Sequence, residues 1–147
     1  MRKLILLLLF FGISLLGYAQ SYQKYNDFLD RTEFYDSYGN MTGYAKYNSF
    51  LDRVEYYDSY GHLKSYKKKN EFLNREETYE SNGKQKGYEK ENNFLHRKEE
   101  YDSNGNMQYT KKWNSFQNRY DIYDSNGHQV GYYKYNSFLK RWEYFDN

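Results

Sequence analysis

A single period of 22 residues runs through this chain and limits the folds open to it more than any other feature. Its units begin at Tyr22, Tyr44, Tyr66, Tyr88, Thr110 and Tyr132, with no insertion or deletion between them. A fixed period of this length is typical of repeat proteins in which each unit packs against its neighbours. We therefore expect one repeat domain over residues 20–147, with five full units and a truncated sixth.

Turn chemistry within each unit indicates strands. Asp58-Ser59-Tyr60-Gly61 and its counterparts place Asp where its carboxylate can bond the turn backbone, and Gly where a positive φ is expected. On each side of a Phe-Leu corner the constant residues alternate with a period of two, which is typical of strands. The sequence predicts an all-β fold of tandem β-hairpins, forming an antiparallel meander, solenoid or single-layer sheet. A curled barrel is the alternative.

Five positions keep one residue type or charge in all six units. These are a lysine, an asparagine, a corner phenylalanine, an arginine and an acid two residues after it, represented in unit four by Lys90, Asn92, Phe94, Arg97 and Glu99. We interpret the charged residues as cross-strand pairs on one constant face. The corner phenylalanine is expected to pack against neighbouring units.

The opposite, variable face carries the candidate binding residues. Units one, two, five and six place aromatic side chains there, whereas units three and four place Lys69, Glu76, Glu91 and Lys98. The predicted binding residues are Tyr25, Phe34, Tyr47, Tyr56, Trp113, Tyr120, Tyr135, Trp142 and Tyr144. Such rings can form a core, or they can form platforms on which a partner stacks if they are exposed. Both interpretations stay open at this point.

The first residues are expected to be a leader that is removed. Arg2 and Lys3 precede an apolar run from Leu4 to Leu16, and small residues lie at Gly17 and Ala19. This is the pattern of a signal peptide over residues 1–19, and the run is shorter than the roughly 20 residues that span a bilayer. The pattern predicts an exported protein, periplasmic or extracellular, without a transmembrane segment after cleavage.

The charge balance gives no support for nucleic-acid binding. Two of the 22 Lys and Arg residues lie in the leader, which leaves 20 basic against 20 acidic side chains. Nucleic-acid binding depends on a basic face, and here acids and bases alternate at short range. The chain also has no cysteine, which excludes disulfides and thiolate metal sites.

No motif predicts catalysis, a metal site or a cofactor. Each Asp-Ser-x-Gly turn offers one acid, fewer than a calcium loop needs. His62 and His128 occupy equivalent repeat positions three units apart, and His96 lies in a corner, so no two are placed for joint ligation. No nucleophile beside a base interrupts the repeat, and we expect a non-enzymatic protein.

The runs Gly43-Tyr44-Ala45-Lys46 and Tyr56-Tyr57-Asp58-Ser59-Tyr60-Gly61 resemble the bacterial cell-wall-binding repeats of the choline- and glucan-binding type. The resemblance implies stacked hairpins with aromatic cages for choline or sugar. Matched position by position, the resemblance assigns the cage aromatics to Tyr44, Tyr120, Tyr132 and Trp142. This period is longer by about two residues, Tyr replaces most of the expected Trp, and units three and four have Glu76 and Lys98 at a cage position.

Two functions follow from these features. The first is a binding protein of the cell envelope or exterior that holds a glycan or a protein partner on its aromatic face. The second is a structural protein whose terminal strands, lacking a polar cap, pair edge to edge with other copies.

Overall fold

The structure is a computed structural model that describes residues 21–147, so the predicted signal peptide lies outside the described residues. Each repeat unit contributes two antiparallel strands. The strands are β1 Ser21–Asn26, β2 Arg31–Tyr35, β3 Met41–Asn48, β4 Arg53–Asp58, β5 Leu63–Asn70, β6 Arg75–Glu80, β7 Gln85–Asn92, β8 Arg97–Asp102, β9 Met107–Asn114, β10 Arg119–Asp124, β11 Gln129–Asn136 and β12 Arg141–Asp146. Residues 21–147 include no helix that is long and apolar enough to cross a membrane.

The twelve strands form one closed barrel in which every strand pairs with its sequence neighbours. The barrel closes where β1 pairs with β12, with Tyr22 opposite Glu143 and Gln23 opposite Trp142. The predicted meander of tandem hairpins is confirmed, and the curled barrel is the form that it takes. The prediction that the end strands are uncapped edges is wrong, because these two strands satisfy each other.

Two kinds of hairpin connection alternate along the chain, and each lies at its own end of the barrel. In the Asp-Ser-x-Gly turn, Asp58 Oδ1 accepts hydrogen bonds from the backbone N–H groups of Tyr60 and His62, at 3.0 and 2.9 Å. Gly61 has a φ of 87°, which favours glycine, as the sequence predicts. We call this end of the barrel the turn end.

The Phe-Leu corners join each odd-numbered strand to the next even-numbered strand, at what we call the corner end. The constant asparagine stabilises the corner. In unit two, Asn48 Oδ1 accepts hydrogen bonds from the backbone N–H groups of Phe50 and Leu51, at 3.1 and 3.0 Å. The residue after the leucine, Asp52 in unit two, has a φ of 49°. The expectation that corner phenylalanines pack against neighbouring units is wrong, because Phe94 is 90% exposed and projects from the corner.

The constant face forms the outer wall and repeats one arrangement of charges and rings. Arg53 Nη2 lies 2.6 Å from Glu55 Oε1 on the same strand, so the pair is not cross-strand as predicted. Burial favours a raised pKa for Glu55, but hydrogen bonds from Tyr57 and Arg53 hold that pKa below its ordinary value. The Arg53 guanidinium also lies 4.1 Å from the centre of the Tyr66 ring in the next unit. Each unit is thereby tied to its neighbour.

The same outer contacts extend across the closure of the barrel. Arg141 lies over the Tyr22 ring at 3.8 Å, so the last unit contacts the first as any unit contacts the next. Unit five differs because Thr110 replaces the tyrosine that Arg97 would cover. The outer wall therefore depends on the repeat, and it is nearly independent of the residues on the inner wall.

The variable face forms the inner wall and holds the apolar core. One cluster contains Phe34 and Ala45, and another contains Ile122, Tyr133 and Tyr144. The inward side chains therefore supply the core, because the fold has no second layer to cover a sheet face.

Candidate functional site

All nine predicted binding residues lie on the inner wall of the barrel. They do not form one exposed surface. Phe34 and Tyr144 are buried in the core clusters, and Tyr56 packs against the first of these clusters. The core interpretation therefore holds for part of the set, and partner binding by the exposed part stays a prediction.

Barrel closure unites two aromatic patches that are far apart in sequence. Trp142 of unit six lies opposite Gln23 of unit one, which makes units five, six, one and two neighbours around the barrel. The Tyr120 ring is 4.7 Å from the Trp113 ring and 5.8 Å from the Trp142 ring. Trp142 in turn lies 5.4 Å from Tyr135. The rings of units five and six thus contact one another, and closure places the rings of units one and two beside them on the same half of the inner wall, which we call the aromatic half.

Four of these rings face solvent at the corner end of the barrel. Tyr25, Tyr47, Trp113 and Tyr135 lie one residue before the asparagine of each corner, and between 39% and 51% of each is exposed. We call these four residues the mouth rings. Their partial burial fixes the ring planes while leaving ring surface available to a ligand.

Hydrogen bonds to corner acids orient two of the mouth rings. The Tyr47 hydroxyl donates to Asp52 Oδ1 at 2.5 Å, and Tyr25 donates in the same way to Asp30. Each hydrogen bond raises the pKa of its tyrosine above the ordinary value. Both phenols consequently stay neutral at physiological pH, and they remain suited to stacking and to accepting hydrogen bonds.

Units three and four form the opposite, charged half of the inner wall. Glu89 is buried at its centre, and its carboxylate oxygens lie 3.2 Å from Lys98 Nζ and 3.6 Å from Lys67 Nζ. Burial favours a raised pKa for Glu89, but Lys67, Lys111 and Lys98 hold that pKa below its ordinary value. The carboxylate is therefore ionised and balances several lysines.

A cavity of about 600 Å³ lies against this charged half and extends to the turn end. Tyr56, Lys67, Glu89 and Glu100 line its inner part. Burial raises the pKa of Glu100 to about 7. Among the described residues, Glu100 Oε2 and the Tyr56 hydroxyl have no hydrogen-bond partner. The cavity thus combines an ionised carboxylate with one that is partly protonated near neutral pH.

Glu89 and Lys111 were not among the predicted residues, although the sequence carries a signal for them. Both occupy the second position of the repeat unit, where the six units carry Gln23, Ala45, Lys67, Glu89, Lys111 and Tyr133. A position that varies so widely within a strict repeat indicates an environment that differs from unit to unit. That environment is the middle of the inner wall, where each residue meets different neighbours.

The remaining candidate residues lie in turns. His62 Nδ1 lies 3.0 Å from Asp58 Oδ2, and His128 has the same relation to Asp124 at 3.4 Å. His96 takes a positive φ in its corner. Within residues 21–147 no group of three or more His, Cys, Asp or Glu side chains could hold a metal ion.

Comparison with known proteins gives information on the fold and not on the function. No family model and no curated protein sequence matches the chain. Among solved structures, a protein from Arabidopsis thaliana known by X-ray structure is similar, with a TM-score of 0.66. The two chains are 10% identical, and the match covers 88% of this chain and 80% of that one. The all-β barrel of hairpins therefore has a counterpart among known structures.

Proposed function

We propose that this protein is a non-catalytic binding protein of the cell envelope or exterior that holds a glycan at the corner end of its barrel. The observation that carries the proposal is the aromatic half, where closure places the rings of four units on one half of the inner wall and leaves four mouth rings half exposed. Scaffolding alone does not require these rings, because units three and four build the same hairpins with charged residues.

Ring chemistry supports a sugar as the ligand. Aromatic faces such as that of Trp113 stack on the C–H faces of sugars, and part of that ring is open to solvent. The neutral hydroxyls of Tyr25 and Tyr47 add hydrogen-bonding groups at the same mouth. Lys69 and Glu91, across the mouth on the charged half, can pair with polar groups at the other side of a ligand.

We also propose that the protein is exported, on the basis of the signal peptide predicted over residues 1–19. N-terminal sequencing of the protein recovered from its native host tests this part directly. A chain beginning at Gln20 supports secretion. A chain that retains the first residues and stays inside the cell contradicts it.

The binding experiment is a fluorescence titration of residues 20–147 with peptidoglycan fragments and common soluble polysaccharides. We expect a saturable change in Trp emission, because Trp113 and Trp142 both lie on the aromatic half. In Trp113→Ala, Trp142 still reports, and the affinity should fall about tenfold or more, as expected when a stacked ring is removed from a binding site. No change in wild-type emission at millimolar ligand would overturn the glycan proposal.

The matched control is Tyr60→Ala. Tyr60 is also an exposed ring, but it lies at the turn end, away from the mouth. Its removal should leave the glycan affinity unchanged. Equal losses in both variants would indicate nonspecific contact with exposed rings and not a site at the mouth.

The alternative function, a structural protein that assembles edge to edge with other copies, has less support. Edge-to-edge assembly needs a free strand edge, and β1 and β12 occupy each other's edges. A sedimentation profile that stays monomeric over a hundredfold range of concentration would remove this alternative.

A further inference from the structure

The corner end carries six phenylalanines whose side chains are not packed into the barrel. Each projects from the tip of its corner and is between 90% and 95% exposed, and together we call them the Phe crown. Its members are Phe28, Phe50, Phe72, Phe94, Phe116 and Phe138. Single exposed apolar residues are ordinary, but a ring of six at one end of a barrel marks a contact surface.

The corner backbone does not require a phenylalanine. Asn48 holds the corner of unit two through its side-chain oxygen, and Phe50 contributes only a backbone N–H to that contact. The turn end offers a comparison within the same chain. Its equivalent tips carry Tyr38 and Tyr60 in two units and asparagine in the other three. Aromatic tips in every unit are therefore specific to the corner end.

A ring of exposed lysines surrounds the crown on the outer wall. One lysine lies four residues before each corner phenylalanine, and in the described residues none of the six forms an ion pair with an acid. The acid opposite each lysine is already paired with an arginine of its own strand. In unit two, for example, Glu55 lies opposite Lys46 but forms its ion pair with Arg53. The members of this lysine ring are Lys24, Lys46, Lys68, Lys90, Lys112 and Lys134.

Acids at the corners are fewer than these lysines and lie on one side. Asp27, Asp30, Asp52 and Glu71 belong to units one to three, whereas the corners of units four to six have no acid and include Lys140. Asp30 and Asp52 already accept hydrogen bonds from mouth tyrosines. The corner end is therefore basic overall, and most basic beside units four to six.

We propose that the corner end is a membrane-docking surface for an anionic lipid bilayer. The Phe crown inserts at the boundary between headgroups and acyl chains, and the lysine ring contacts headgroup phosphates. Docking covers the mouth that the crown surrounds, so a bilayer and a soluble glycan exclude each other at the corner end. Apolar rings combined with a basic flank are the chemistry of interfacial membrane binding. The circular arrangement suits a flat surface, because all six tips lie at one end of the barrel.

A second copy of the chain suits this end less well. Two barrels that met crown to crown would bring two lysine rings towards each other, which costs free energy. A lipid bilayer that carries anionic headgroups supplies the opposite charge to every lysine at once. The bilayer is thus the partner whose charge and shape both match the corner end.

The test is sedimentation of residues 20–147, which contain every strand of the barrel, with two kinds of vesicle. One kind is pure phosphatidylcholine, and the other has a quarter of its lipid replaced by phosphatidylglycerol. We expect binding to the anionic vesicles that falls with added salt, and several-fold weaker binding to the neutral vesicles. The triple variant Phe50→Ser, Phe94→Ser, Phe138→Ser should bind anionic vesicles at least about tenfold more weakly.

The control variant is Tyr38→Ser, Tyr60→Ser, which removes exposed rings from the turn end and should bind as the wild type does. The removed side chains are exposed in both variants, so both should keep the circular dichroism and thermal midpoint of the wild type. A second set, Lys90→Gln, Lys112→Gln, Lys134→Gln, should weaken binding to anionic vesicles and leave the weak binding to neutral vesicles unchanged.

Three results would overturn the proposal. One is the absence of wild-type binding to anionic vesicles. Another is equal loss in the crown variant and the turn-end control. The third is self-association of the wild type, abolished in the crown variant, without any vesicle binding. That third result would assign the crown to a second copy of the chain.

Discussion

The aromatic half and the charged half of the barrel have nearly the same backbone and outer wall but different interiors. In units five, six, one and two the inward residues are largely rings and aliphatic side chains, with Ile122 nearly fully buried. In units three and four, Lys67 and Lys98 surround Glu89 at the equivalent depth. The constant positions therefore determine the hairpins and their pairing, whereas the variable positions determine the chemistry of the interior.

The largest effect should come from removing the charge at the centre of the charged half. Glu89→Gln leaves Lys67, Lys98 and Lys111 without the carboxylate they surround, and breaking a buried ion pair typically costs about 3–5 kcal/mol. Urea denaturation at neutral pH measures the loss. Glu91→Gln, an exposed acid two residues further along the same strand, should change the free energy of unfolding by less than about 0.5 kcal/mol. Similar values for the two variants would show that the charged half is not a coupled cluster.

A pH-dependent effect should follow from Glu100 in the same half. Its pKa in the folded protein is about 7, above the ordinary value of 4.5, so the folded state favours the protonated acid. The stability that this group contributes is therefore lost as the pH rises from 4.5 to 7. Glu100→Gln should unfold with a free energy higher than wild type at pH 8, by on the order of 3 kcal/mol.

The difference between Glu100→Gln and wild type should shrink as the pH approaches 4.5. Glu33 and Glu55 on the outer wall act in a separate window, because their pKa values are lowered and their contribution is lost only as the pH falls below about 4.5. Denaturation curves at several pH values from 4.5 to 8 separate the two. A difference that does not change with pH would contradict the burial of Glu100.

The apolar core cluster around Ile122 should respond to volume and not to pH. Ile122→Val removes one buried methylene from its core cluster, and such changes cost about 0.5–1.5 kcal/mol. We expect the same loss at pH 5 and pH 8 in urea denaturation. A loss that varied with pH across this range would show that titratable groups also govern the stability of this cluster.

The smallest effects should come from the outer wall, which both halves share. Arg75→Ala in the charged half and Arg119→Ala in the aromatic half each remove a contact with an acid and a contact with the next unit's ring. The two losses should agree within about 0.5 kcal/mol, near 1 kcal/mol each. Arg97→Ala should cost less, because Thr110 takes the place of the ring. Unequal losses for the first two variants would show that the interior also governs the outer wall.

Much of the local structure could be predicted from the repeat. The asparagine, the Asp-Ser-x-Gly turn and the alternation by two are properties of short segments, and they fix the hairpins wherever they occur. The positive φ of Gly61 and the division into two faces were predictable for the same reason.

Closure was not predictable, because it depends on the accumulated twist and tilt of all twelve strands and on no single residue. The union of Trp142 with unit one follows only from that closure. The exposure of Phe94 was also hidden, because a constant apolar residue in a repeat is ordinarily part of the core. Its outward direction depends on the corner geometry that Asn92 supports through the backbone N–H of Leu95.

The aromatic half depends on the pairing of β1 with β12, because this pairing brings the rings of units one and two beside those of units five and six. Nuclear Overhauser effects between backbone protons of Ser21–Gln23 and Trp142–Tyr144 measure this pairing directly. We expect antiparallel cross-strand contacts between Tyr22 and Glu143 and between Gln23 and Trp142, with slowly exchanging amides in both strands. Rapidly exchanging amides on the outer edges of both strands, with contacts only to β2 and β11, would contradict this pairing and indicate an open array of hairpins.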